Sequence, residues 1–179
     1  MNIWQNAVIT EKGLSLQSKL IEGTILEITR VVTGSGFVTP GLLSKQTEIS
    51  SPQQTISISA VSYPEDGKCA MITSLGNDEL VKGYTACQIG IFADDPDDGE
   101  ILYFIAQSSD PDHGTMIPSA SEMPGYNAEW TFYFKYGMAD SVNVTIDKAN
   151  SVSKEEMETY INTTFQAITN EEIAAEFSA

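Results

Sequence analysis

The chain has 179 residues, 41% of them hydrophobic, with 9 basic residues against 25 acidic ones and a net charge of −16. That length and apolar content suit one sizeable buried core and exclude a chain disordered throughout. The acidic excess, with no Lys/Arg cluster to offset it, excludes a nucleic-acid partner and attachment to an anionic membrane surface.

The first residues, Met1 to Asn6, show no basic region followed by an apolar run, so no Sec signal peptide is expected. No apolar segment approaches the ~20 residues that span a bilayer. Ile3 and Trp4 are expected to anchor an N-terminal arm. Residues 10–22 predict a helix, with Thr10 as N-cap, Ile9 and Leu14 as a hydrophobic staple and Gly23 at C′. Its apolar stripe reads Leu14, Leu20 and Ile21, with Leu16 and Gln17 between. Residues 24–33 are rich in β-branched side chains and predict a strand. Gly34-Ser35-Gly36 follows without the lysine of a P-loop or the third glycine of a dinucleotide fingerprint, and reads as a loop with positive φ. Residues 40–46 suit one short helical turn. Residues 55–63 and 68–75 flank a Pro64-Glu65-Asp66-Gly67 turn and predict an antiparallel hairpin. Ile56, Ile58 and Ala60 are expected inward on its first strand, and Cys69, Met71 and Leu75 on its second.

The strongest strand signal lies at 88–107, where apolar runs at 88–93 and 101–106 flank the acidic connection 94–99. Ile89, Ile91 and Ala93 alternate with Gly90 and Phe92. Ile101, Tyr103 and Ile105 alternate with Leu102, Phe104 and Ala106. Apolar residues on both faces predict a strand pair covered from both sides at the centre of a sheet, with Gly90 kept small for close packing. Residues 108–127 are polar and turn-rich, the composition of a functional or mobile loop. Residues 129–136 then alternate, with Trp130, Phe132, Phe134 and Tyr136 facing one way and Thr131, Tyr133 and Lys135 the other. Together with 141–147 they predict a second hairpin. Near the C-terminus, Ser153 with Glu156 and Thr169 with Glu172 are capping boxes with staples at Val152/Met157 and Ile168/Ile173. Helices are expected at about 153–167 and 170–177.

The expected class is therefore α+β: an N-terminal helix packed on a mostly antiparallel sheet with a central hairpin, followed by two C-terminal helices. Residues 1–150 form the domain and 151–179 a helical extension for oligomerisation or docking. On that extension Met157, Tyr160, Ile161, Phe165, Ile173 and Phe177 are the candidate partner-docking residues.

The sequence offers little chemistry. Asp94, Asp95, Asp97, Asp98 and Glu100 invite a calcium reading, but Gly99 falls one place early for an EF-hand loop and strands flank it. A tight solvated turn, or a docking surface for a basic patch, explains the same residues. His113, the one histidine, sits in the turn-rich segment, and no G-x-S-x-G elbow accompanies it. Cys69 and Cys87 read as two buried thiols, a bridge between neighbouring strands being the lesser alternative, and with one histidine they cannot close a zinc shell. Tyr133 and Tyr136 are the remaining surface aromatics of a possible sugar-binding strip. No enzyme activity, cofactor or metal is expected. A free calcium- or carbohydrate-binding β-rich module is the alternative reading.

Three motifs carry a resemblance: Ile9-Thr10-Glu11-Lys12-Gly13-Leu14-Ser15-Leu16, then Thr33-Gly34-Ser35-Gly36, then Gln88-Ile89-Gly90-Ile91-Phe92-Ala93 followed by acidic residues, Gly99 and an apolar strand. In order and spacing they resemble the N-terminal domain of phage tail-collar and tail-fibre proteins, across roughly residues 1–150. The resemblance implies a virion structural protein of a phage tail or other contractile injection particle. Its role would be to attach a fibre to baseplate proteins, usually as a homotrimer, for host attachment. It implies synthesis in the host cytoplasm and residence at the tail baseplate. A fibre would continue into a shaft and tip, whereas the sequence ends at Ala179, so a short baseplate or fibre protein fits as well.

Overall fold

The computed structural model describes residues 4–20, 25–62, 68–135 and 141–144. Ten strands and one α-helix follow in the order β1 (Trp4–Ile9), α1 (Glu11–Lys19), β2 (Ile25–Gly34), a 3-10 turn (Pro40–Lys45), β3 (Pro52–Ser62), β4 (Lys68–Gly76), β5 (Tyr84–Ala86), β6 (Gln88–Asp95), β7 (Gly99–Ser108), β8 (Thr115–Ile117), β9 (Asn127–Lys135) and β10 (Ser141–Val144). The expected α+β class does not hold: the described chain is mostly antiparallel β, and its nine-residue helix is the only α-helix among the described residues. The helices expected at 153–167 and 170–177 lie outside those residues.

The main sheet runs β1-β7-β6-β2-β3-β4-β9, with β10 pairing β2 in parallel beside it. β3 is shared, its first half pairing β2 up to Ile56 and its second half pairing β4 from Ser57. A strand that changes partner in this way turns a corner, and the sheet curls. The curl brings its two ends together, because Trp4 on β1 and Trp130 on β9 meet edge to face at 6.4 Å between ring centroids. Inside the curl lies the principal core, including Leu26, Ile28, Val31, Ile56, Ile58, Met71, Ile89, Ile91 and Tyr103. Leu16 of α1 and its C-cap Leu20 join it at one end, where Lys19 meets Asp95 at the tip of β6. Tyr84, Ala86 and Ile117 of the small β5-β8 sheet join it at the other.

The expected central pair is central. β6 and β7 are bonded on both sides, and a second apolar cluster of Val32, Leu43, Ile49, Phe92, Leu102 and Ile105 covers their outer face. That cover comes from residues 35–51 and their 3-10 turn. Gly90 is what lets it settle, since a Cβ there would lie 2.7 Å from Leu102 Cδ1 and 2.9 Å from Ile49 Cγ1. Gly34 and Gly36 are also glycines for close approach and do not have the expected positive φ; a Cβ on Gly36 would lie 2.6 Å from Ser50 Cβ.

Three bulges explain where strict alternation misassigns faces. The extra residue is Tyr103 on β7, Ser59 on β3 and Thr29 on β2. One added residue reverses the inward parity of everything after it. Ile105 therefore joins the outer cluster and not the face of Ile101 and Tyr103. Ala60 is exposed while Val61 packs against the core.

Other expectations need correction. Residues 4–9 are not an arm but a strand, antiparallel to β7. Helix α1 stops at Lys19 with Leu20 as C-cap, and Leu14 is 51% exposed, so Ile9–Leu14 is no buried staple. The segment 108–127 is not a free loop. It contributes β8, Asn77 Nδ2 donates to the carbonyls of Pro118 and Met123, and Ser119 and Glu122 form a reciprocal backbone-to-side-chain box. The second hairpin does not form as expected: β10 pairs β2 in parallel, Ser141 opposite Ile25, and β9 pairs β4.

Candidate functional site

Among the described residues the densest constellation of charge is the acidic β6–β7 turn and what it touches. Asp95 ends β6 with its side chain 1% exposed. Its Oδ1 accepts the backbone N–H of Asp97 at 2.9 Å and of Asp98 at 3.1 Å, a carboxylate closing its own turn while Gly99 supplies φ +74. Lys19 Nζ donates to both Asp95 oxygens, at 2.7 and 3.0 Å, and reaches Asp97 at 3.1 Å. Burial by itself would raise the Asp95 pKa, but the Lys19 ammonium and the two turn N–H groups outweigh it and hold the carboxyl below its ordinary value. Asp95 and Asp97 raise the pKa of Lys19 in turn.

Lys12 pairs with Asp98. Lys12 and Lys19 stand seven apart, two helical turns, so both lie on the face of α1 that meets the turn. On the other side, Arg30 pairs with Glu100 at 2.8 Å, and Thr29 Oγ1 donates to Glu100 at 2.6 Å. These bonds, the Arg30 contact first, hold Glu100 below its ordinary pKa. The Arg30 guanidinium also stacks 4.0 Å from the Phe92 ring centroid. Four of the five carboxylates are thus answered by cations of the same chain. The basic groups that meet the turn belong to the same chain, whereas the sequence suggested a basic patch on a partner.

That pairing speaks against both the calcium reading and a free acidic docking tip. Among the described residues no three His, Cys, Asp or Glu side chains converge as a metal shell would. Two open clefts of about 270 and 440 Å³ border the turn and share Lys12, Thr47 and Asp98. Lys19, Lys45, Ser15 and Ser44 line the larger one, and Glu48, Glu100, Ile101 and Leu102 the smaller.

The remaining candidates are structural. His113 Nδ1 bonds Asp110 Oδ1 at 2.7 Å on the surface, which raises the histidine pKa and lowers that of the aspartate. Cys69 and Cys87 are both buried and free, without a bridge. Burial pushes the Cys69 thiol up to about 11 and raises that of Cys87, the opposite of a nucleophile's requirement. Thr10 caps α1 by accepting from Gly13 N at 2.9 Å, and its hydroxyl donates to the Leu102 carbonyl beside the β7 bulge. Gln88 and Gln107, opposite one another at the far end of the central pair, bond at 2.7 Å and hold residues 35–51 through Gln46, Ser50 and Val38.

Tyr133 is 74% exposed on β9, as the alternation predicts. Tyr136 and the candidate docking residues Met157, Tyr160, Ile161, Phe165, Ile173 and Phe177 lie outside the described residues. The sequence reading missed Lys12, Lys19 and Arg30 as partners of the acidic turn; the seven-residue lysine spacing in a chain so poor in cations was the available signal. No protein-family model, curated protein or solved structure matches the chain.

Proposed function

We propose that this chain is a structural component of a phage or phage-like contractile tail, attaching a fibre to the baseplate or serving as a short baseplate or fibre protein. One observation carries the reading. The three motifs behind the resemblance lie far apart in sequence yet are all contact points of one packed unit. Thr10 and Gly13 seat α1 on the bulged carbonyls of β7. Gly34 and Gly36 admit residues 49–51 against the end of β2. Gln88 and Gly90 fix the cover of the central strands. Gly34 of the second motif pairs with Gln88 of the third, and the first motif seats on β7, the neighbour of β6, which supports reading the three together.

The architecture suits attachment. A curled sheet plugged at both ends is a rigid body that transmits load through backbone hydrogen bonds and needs no activated nucleophile. Baseplate proteins are the partners in this reading and a homotrimer is the assembly. The test is to purify complete tail particles from cells that carry the gene and label this chain with gold-conjugated antibody. Label at the tail tip is expected, in copy numbers divisible by three. Complete particles that contain none of the chain by mass spectrometry would overturn the reading.

A further inference from the structure

The two ends of the curled sheet are closed differently. At the α1 end the carboxylates of the β6–β7 turn are answered by Lys12, Lys19 and Arg30. At the other end the small β5–β8 sheet forms a cap with residues 77–83 and 118–126. Asn77 Nδ2 donates to the carbonyls of Pro118 and Met123, Ala120 N to Leu80 O, and the Tyr126 hydroxyl to Met116 O, which ties these segments together. Leu80, Tyr84 and Ile117 of the cap pack on the core. Val81 and Met116 adjoin Leu80 and Ile117 in the chain yet are 92% and 64% exposed, and Met123 is 53% exposed. Three of the seven exposed large hydrophobic side chains among the described residues thus belong to this one cap.

The charge there is one-sided too. Residues 77–83 and 118–126 carry Asp78, Glu79 and Glu122 against Lys82. All three carboxylates are exposed, and among the described residues no cation pairs with any of them.

We propose that this cap is a docking surface for a basic amphipathic segment of a partner protein. Its apolar side chains cover Val81, Met116 and Met123 while its lysines or arginines meet the three carboxylates. Exposed apolar surface rimmed by polar groups marks an interaction site, and the unbranched methionine side chain adapts to a partner's shape. Charge selects the occupant. A second copy would set these carboxylates against another chain of net charge −16, and an anionic membrane surface is repelled in the same way. A basic segment is attracted both by the rim and by the chain as a whole. The surface does not depend on the tail assignment.

The experiment uses the full-length chain with isotope-labelled methionine methyl groups at about 0.15 M salt, where a Debye length of ~8 Å damps distant attraction. The probe is a synthetic helical peptide of lysine and leucine with the leucines along one face. One control peptide scrambles that pattern at the same composition, and a second replaces lysine by glutamate. The methyl signals of Met116 and Met123 should shift on titration with the probe, while that of Met71, fully buried in the core, stays in place. Val81→Ser/Met116→Ser and Asp78→Lys/Glu79→Lys should each weaken binding about tenfold, whereas Leu14→Ser, exposed on α1, leaves it unchanged. Several results would overturn the proposal: unshifted Met116 and Met123 signals, a control peptide that binds as tightly as the probe, or cap variants that keep the wild-type circular dichroism spectrum and the wild-type affinity. A wild type that self-associates where Val81→Ser/Met116→Ser is monomeric would overturn it as well, by making the occupant a second copy.

Discussion

Gly13 is the third residue of α1, where helix propensity alone says that alanine is better by about 0.8–1.0 kcal/mol. The structure predicts the opposite sign. A Cβ at this position would lie 2.8 Å from Ile9 Cγ2 and 3.1 Å from the carbonyl carbon of Tyr103, and nearer still to the Tyr103 oxygen. Ordinary carbon contacts need roughly 3.5–4.0 Å, so helix and strand must separate by close to 1 Å. The obstacle is backbone at a bulge, which cannot rotate away as a side chain does. Separation also stretches the Thr10 N–H bond to Tyr103 O, now 3.0 Å, and loosens Leu16, fully buried beneath the helix. Overpacking typically costs ~1–3 kcal/mol. Setting the upper half of that range against the propensity gain leaves Gly13→Ala destabilised by about 1–2 kcal/mol. For a chain of this size that lowers Tm by roughly 3–6 °C. Urea titration followed by tryptophan fluorescence measures it, with Ser18→Ala on the exposed face of the same helix as the control for propensity. If Gly13→Ala raises the midpoint as Ser18→Ala does, at unchanged m, the close approach of α1 to the bulge is wrong.

Three further outcomes follow from the packing and the charges. Asp95 has a folded pKa below its ordinary 3.8, so its stabilisation is complete above the unfolded pKa and is lost as pH falls through the folded one; between about pH 5 and pH 2 the urea midpoint should fall more steeply in the wild type than in Asp95→Asn. Gly90→Ala drives a methyl into the Ile49 and Leu102 side chains and should cost about 1–3 kcal/mol, part of which the double variant Gly90→Ala/Ile49→Val recovers; strictly additive losses in a double-mutant cycle would refute that contact. Cys69 and Cys87, 0% and 2% exposed with raised thiol pKa values, should resist a maleimide at neutral pH in the native protein and both react in urea, as counted by intact mass.

The strands were legible where local pattern decides them. β-branched content located β2, and Pro64-Glu65-Asp66-Gly67 located the β3–β4 hairpin. The apolar doublet of β6 and β7 announced a pair covered on both faces. What the sequence hid is non-local. A bulge inserts one residue without a composition signature, so Tyr103, Ser59 and Thr29 each shifted the faces of their neighbours unseen. The class was overturned because capped helical segments at both ends of the sequence gave helix more weight than one nine-residue element supports among the described residues. β1 reads as ordinary polar-apolar sequence until β7 is there to pair it, and β10 finds β2 across more than a hundred residues. The acidic turn was visible as carboxylates, but its meaning depends on Lys12, Lys19 and Arg30, which tertiary structure alone brings to it.

The motif residues share a physical role that bears on where function should be sought. Gly13, Gly34, Gly36 and Gly90 are each small because another part of the chain touches them there. Thr10 is a hydroxyl because a helix start and a bulged strand both need one. Gln88 is an amide because it must donate and accept at once, to Gln107, Gln46 and Ser50. Letters of this kind encode how the body closes and leave nothing over to bind a partner. The acidic turn is likewise spent on its own lysines and arginine. Recognition must then come from surfaces that the packing does not consume. Among the described residues β9 has backbone partners only on its β4 side. A body built this way keeps a fixed interior and leaves recognition to the surfaces around it.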